Sequence, residues 1–125
     1  MSVIGADFQV FYDSAQGGRD YMEDVVSVKI SSSHGEVAYF ALFDGHGGAE
    51  AAHFADTHLL NQITRRAEFS SEDDSEVVQA IKDGFVTTHQ MMTKAVGTNI
   101  VKKYLDICSL NLSCYYEVEL YVWSL

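Results

Sequence analysis

Asp44, Gly45 and His46 follow one another directly, and Gly47 and Gly48 come next. A carboxylate has two oxygens and can bridge a pair of divalent metals, which together make a hydroxide nucleophile at neutral pH. Gly45 has no side chain, so its carbonyl can also face a metal, and the glycines leave main chain open to a ligand. His46 can protonate a departing alkoxide, because imidazoles hold and release protons near neutral pH. Upstream, Arg19 offers a planar fork of donors that matches two phosphate oxygens. Glu23 and Asp24 are suited to holding metal-bound waters. Taken together these residues describe a site for metal ions and phosphate. Each has a plainer reading alone: an Asp-Gly is a turn, and a single loop histidine is polar surface. Their joint order is what points to chemistry. A zinc site from His46, His53 and His58 is set aside, since positions 53 and 58 do not share a helix face.

Several elements must position these groups. Residues 7–12 and 25–30 alternate apolar and polar side chains, as half-buried strands do. Residues 31–35 make a turn, and residues 37–43 form the third and most buried strand. The second and third strands are expected to pair as a hairpin, bringing Glu23 and Asp24 at one entry toward Asp44 at the neighbouring exit. A helix is predicted from about 48 to 66, with Ala52, Ala55, Leu59 and Ile63 on one face. A second runs from about 75 to 95 with an apolar stripe of Val78, Ile81, Phe85 and Met92, and Gly84 inside it lowers its propensity. Leu110, Leu112, Cys114, Tyr116, Val118, Leu120 and Val122 alternate with polar or aromatic neighbours. That is a strand pattern, and such a strand needs a partner.

At 125 residues the chain suits one small domain. Hydrophobic residues make up 47%, enough for a core. The net charge of −10 argues against a nucleic-acid partner, which needs a basic face, and suits divalent cations. The acidic run over residues 68–76 reads as a solvated loop. No apolar run is long enough to span a membrane, and the start lacks a signal-peptide pattern. Cys108 and Cys114 match no zinc spacing and read as packed, reduced thiols in an intracellular protein, nuclear or cytoplasmic. The Asn111-Leu112-Ser113 pattern is then a chance match for glycosylation.

Arg19, Met22, Glu23 and Asp24, followed by the run from Phe40 through Asp44, Gly45 and His46 to Gly48, resemble the opening of the PPM-type, metal-dependent (type 2C) protein serine/threonine phosphatases. The likeness covers roughly residues 7–95. Residues 14–24 and 80–85 look most like the delta-type, nuclear branch. The resemblance implies an α/β (α+β) fold, the N-terminal portion of a two-sheet antiparallel β-sandwich flanked by helices. It implies hydrolysis of phosphoserine and phosphothreonine in phosphoprotein substrates, with two Mg2+ or Mn2+ ions as cofactors. Arg19 would bind the substrate phosphate, and His46 would be the general acid. Asp44 would bridge the metals, Gly45 would offer its carbonyl, and Glu23 and Asp24 would act through water.

The family's next motifs do not follow. Residues 1–95 are therefore expected to be the N-terminal part of the phosphatase domain, and 96–125 a divergent tail. Two further metal-binding aspartates implied by the resemblance are missing from the sequence. Asp44 with one carbonyl and waters holds two dications poorly. A truncated form, inactive alone, is the expectation. The alternative is a non-catalytic fragment that binds phosphoproteins or regulatory partners.

Overall fold

The computed structural model describes residues 2–4, 9–31, 37–95 and 116–124. In chain order its elements are β1 (Ser2–Ile4), β2 (Gln9–Phe11), β3 (Asp24–Ser31), β4 (Val37–Gly45), α1 (Glu50–Thr64), a 3-10 turn (Ala67–Ser70), α2 (Asp74–Ala95) and β5 (Tyr116–Ser124). This is a mixed helix-and-strand chain with small antiparallel sheets, as the α+β expectation holds.

The alternation of residues 25–30 and 37–43 becomes an antiparallel hairpin, in register from Ser31 opposite Val37 to Asp24 opposite Asp44. A period of two sends Tyr39, Ala41 and Phe43 to one face, and there they meet α1. Tyr39 and Phe43 are fully buried against Ala52, Ala55, Leu59 and Ile63, the four positions that helical spacing places on one stripe. Burying each large side chain here contributes about 1.5–3 kcal/mol. On the reverse face Val26, Val28 and Ile30 lie opposite Leu42, Phe40 and Ala38. Lying between β3 and β5, β4 has both long edges paired.

The strand expected near the C-terminus finds its partner in β4, with Val37 opposite Ser124 and Gly45 opposite Tyr116. It runs on through Trp123 to Ser124, two residues beyond where the alternation ends in the sequence. Residues 110–115 of that predicted strand, with Cys108 and Cys114, lie outside the described residues, as do 7 and 8 of the first strand and 32–35 of the turn.

The stripe predicted for α2 is rotated. Ala80, Gly84, Thr88 and Met92 are buried, Ile81 and Phe85 only flank the core, and Val78 is exposed. The reason is close helix packing at a four-residue ridge. A Cβ on Gly84 would come within 2.5 Å of Ile63 Cγ1, so glycine is what lets α2 approach α1. Thr88 is tolerated at the contact because its Oγ1 donates to the Gly84 carbonyl at 2.8 Å. Arg66 ties the same helices at the end of α1, its Nη2 donating to Thr87 Oγ1 at 2.8 Å.

The acidic run at 68–76 is more structured than a solvated loop. Phe69 packs on the core, and Asp73 Oδ1 accepts from Ser75 N at 2.8 Å just before α2. The Ser75 hydroxyl, donating to the same oxygen at 2.7 Å, and then that backbone bond hold the Asp73 carboxyl below its ordinary range.

A second carboxylate joins sheet to helix. Lys29 Nζ on β3 donates to Asp56 Oδ1 at 2.9 Å and to the Asp56 carbonyl at 2.6 Å on α1. Burial alone pushes the Asp56 carboxyl up. Ser27 and the Lys29 hydrogen bond and charge, with His53, outweigh that and leave it lowered from 3.8. The buried Ser27 hydroxyl lies in electrostatic reach of Asp56 without forming a bond of full hydrogen-bond geometry. A depressed folded pKa makes the contribution whole above 3.8 and lost as pH falls through the lower folded value. Thermal melts of the wild type and Asp56→Asn should therefore differ modestly near neutrality and converge below about pH 4.

Candidate functional site

The hairpin that carries Asp44 also delivers Asp24, because they are direct cross-strand partners at its open end. On the other flank Asp44 is in register with Glu117 of β5. Like charges directly opposite one another destabilise a sheet, so the Asp24–Asp44 rung favours a cation nearby. Asp24 is exposed and Asp44 half-buried.

Ahead of β3, the loop from Ala15 to Glu23 folds back against the end of β4. Ala15, Gln16, Arg19, Asp20, Tyr21, Met22, Glu23, Asp24, Asp44, Gly45 and His46 line one cavity of about 480 Å3. Every residue proposed from the sequence for phosphate, metal or proton transfer (Arg19, Glu23, Asp24, Asp44, Gly45, His46) is in that lining. His53 and His58 are not. They lie on α1, where the His58 ring stacks on Phe54 at 4.3 Å between centroids.

Local geometry fixes the acid end. Gly45 N donates to the Glu23 carbonyl at 3.3 Å, joining the loop to the strand exit. A Cβ on Gly45 would sit 2.6 Å from Glu23 O and 2.8 Å from Gly48 O, so only glycine fits there. The turn then uses left-handed backbone at Gly47, with φ of 73°, before α1 begins at Glu50. His46 Nδ1 lies 3.0 Å from the Asp44 carbonyl. With Nδ1–H donating to that carbonyl, Nε2 is the nitrogen left for a ligand.

The phosphate end is held differently. Residues 13–20 are exposed, and Gly17 turns the chain with φ of 64°. Gln16 Nε2 donates to the Arg19 carbonyl at 2.6 Å across that turn. Gln16, Asp20 and Tyr21 were not singled out from the sequence. The signal for Gln16 was present, an amide side chain three residues before the arginine across a Gly-Gly turn. Asp20 and Tyr21 carried none.

The cavity suits a hydrated dication. Glu23 Oε1 is buried with no hydrogen-bond partner among the described residues, a cost that a bound water or cation would remove. Among the described residues no group of three His, Cys, Asp or Glu side chains converges to cage a metal directly. The carboxylates of Glu23, Asp24 and Asp44 in that lining fit an ion held largely through its waters. Among the described residues no helix is long and apolar enough to cross a membrane.

Comparison with known proteins covers the stretch that holds both motifs. The family model for protein phosphatase 2C matches residues 8–115. The chain is 36% identical over 76 residues to probable protein phosphatase 2C 11 of Arabidopsis thaliana, covering 60% of this chain and 20% of that protein. It is 33% identical over 90 residues to protein phosphatase 1B of Rattus norvegicus, covering 63% and 23%. With probable protein phosphatase 2C 2 of Paramecium tetraurelia the identity is 28% over 115 residues, covering 86% and 37%. The chain thus spans about a fifth to two fifths of the length of these relatives. A match over most of its residues, with both site motifs inside it, means that the chain belongs to the protein phosphatase 2C family.

Proposed function

We propose that this site recognises phosphoserine and phosphothreonine in proteins and is built for metal-assisted hydrolysis of their phosphate esters. The observation that carries the reading is the single cavity in which Arg19, Glu23, Asp24, Asp44, Gly45 and His46 meet. The Arg19 guanidinium anchors the phosphate through paired N–H donors. His46 Nε2 delivers a proton to the departing serine or threonine oxygen, with Nδ1 steadied on the Asp44 carbonyl. Glu23 and Asp24 orient water at the open end of the hairpin. Two Mg2+ or Mn2+ ions, when bound, supply a hydroxide nucleophile near neutral pH. Phosphoproteins are the partners, in an intracellular setting, and the likeness to the delta-type nuclear branch rests on residues 14–24 and 80–85 alone.

A second reading is favoured by one observation. Among the described residues no three His, Cys, Asp or Glu side chains converge into a metal cage, which favours a chain that binds a phosphoprotein without turning it over. The relatives' greater length supports this, since a full donor set can be shared with segments beyond these.

Phosphate release from a phosphothreonine peptide, with Mn2+ and with chelator, tests both. The 125-residue chain is expected to release no more phosphate than Asp44→Asn, while still binding the phosphopeptide in preference to its unphosphorylated form. Arg19→Ala is expected to weaken that binding about tenfold, as loss of a charge-assisted pair does. Mn2+-dependent release that disappears in Asp44→Asn would make the chain an enzyme by itself. Equal binding of both peptides would sink the phosphate reading.

A further inference from the structure

We propose that Gln16 is a positioning residue for Arg19, fixing the loop that presents the guanidinium to phosphate. The inference rests on the reading of Arg19 as the phosphate anchor. Its basis is the 2.6 Å bond from Gln16 Nε2 to the Arg19 carbonyl, which closes the turn through Gly17 and Gly18.

That turn has little else to hold it. Gly17 takes φ of 64°, and a Cβ at Gly17 or Gly18 would meet no atom within 4 Å. Two adjacent glycines in open space have the widest backbone freedom of any pair. Residues 13–20 are exposed, so no packed core fixes the loop either. Downstream the chain is anchored, because the Glu23 carbonyl accepts from Gly45 N and β3 begins at Asp24. Upstream, Ser14 N donates to Asp13 Oδ1 at 2.9 Å and shapes the loop's entry. Arg19 lies between these points, and the Gln16 amide spans the two glycines to reach its carbonyl. Gln16 also lines the cavity with Arg19, so the tie lies on the ligand's side of the loop. A positioned arginine loses less freedom when it binds, and that difference reads out as affinity.

The bond is a donation from a side-chain amide to a backbone carbonyl. Methionine at position 16 keeps the length of the side chain and removes the donor. The test is a double-mutant cycle on the 125-residue chain, reading the dissociation constant for a phosphothreonine peptide by calorimetry. Gln16→Met is expected to weaken binding about fivefold, the range for one net hydrogen bond. In an Arg19→Ala background the same substitution is expected to change nothing, because its effect passes through the arginine. Gln16→Ala should behave in the same way, and thermal melts check that each variant folds.

Two results overturn the proposal alone: unchanged affinity in Gln16→Met, or an equal loss whether or not Arg19 is present. The second would mean that Gln16 touches the ligand itself or acts through general stability. If Arg19→Ala by itself leaves affinity unchanged, the phosphate reading falls and this proposal falls with it. That single variant separates the two failures.

Discussion

Gly45→Ala is expected to weaken Mn2+ binding at the proposed site and to lower stability at the same time. The new Cβ would lie 2.6 Å from Glu23 O and 2.8 Å from Gly48 O, both main-chain atoms that no rotamer change can move away. Contacts below 3.0 Å do not persist, so either the loop before β3 or the turn into α1 must shift. The first breaks the bond from Gly45 N to Glu23 O and swings Glu23 and Asp24 away from Asp44. The second moves His46 off the Asp44 carbonyl. Either movement displaces groups that must act within a fraction of an ångström. A stability loss of about 1–3 kcal/mol is expected, the usual cost of overpacking. Titration with Mn2+ in the presence of phosphopeptide, beside a thermal melt, checks both effects. Unchanged Mn2+ response in a folded Gly45→Ala chain would mean that the backbone at this corner is not part of the site.

Phe43→Ala carries the larger stability effect. Phe43 is fully buried, on the face of β4 packed against α1, one residue before the acid of the proposed site. Truncating a buried phenylalanine costs about 3–5 kcal/mol, from lost transfer free energy and the cavity left behind. Small domains have roughly 5–15 kcal/mol in total, so the variant should unfold well below the wild type in urea. The substitution removes no charged or polar group of the cavity. Phosphopeptide affinity measured at low temperature on the folded fraction should therefore stay within about twofold of wild type. An affinity loss as large as that of Arg19→Ala would instead couple the core directly to the binding loop.

How far the sequence reached depends on what each feature needs. The β3–β4 hairpin and α1 rest on local period, and their buried positions follow from counting twos and fours along one segment. The rotated stripe of α2 does not, because Gly84 looks like a weak helix residue until Ile63 is known to lie against it. Helix approach is a property of two surfaces, and hydrophobicity alone favoured the larger side chains at Val78, Ile81 and Phe85. The pairing of β5 with β4 is likewise invisible locally, though the need for some partner was legible. At the site, residue chemistry picked out Arg19, Glu23, Asp24, Asp44 and His46 of the cavity lining but not Asp20. It passed over Gln16, whose contribution lies in where its amide reaches and not in any reactivity of its own. Asp73 shows the same limit from the other side: within an acidic run it looks like bulk charge, yet it organises the start of α2.

The register of the β3–β4 hairpin has a consequence for the order of assembly. Arg19, Glu23, Asp24, Asp44, Gly45 and His46 all come from the stretch between residues 19 and 46, and one hairpin closes them together. The contacts of β4 with β5 instead join positions separated by the whole helical segment. Short loops close early and long ones late, since chain entropy rises with the span to be closed. During synthesis the charged corner can therefore form while residues 116–124 are still within the ribosome.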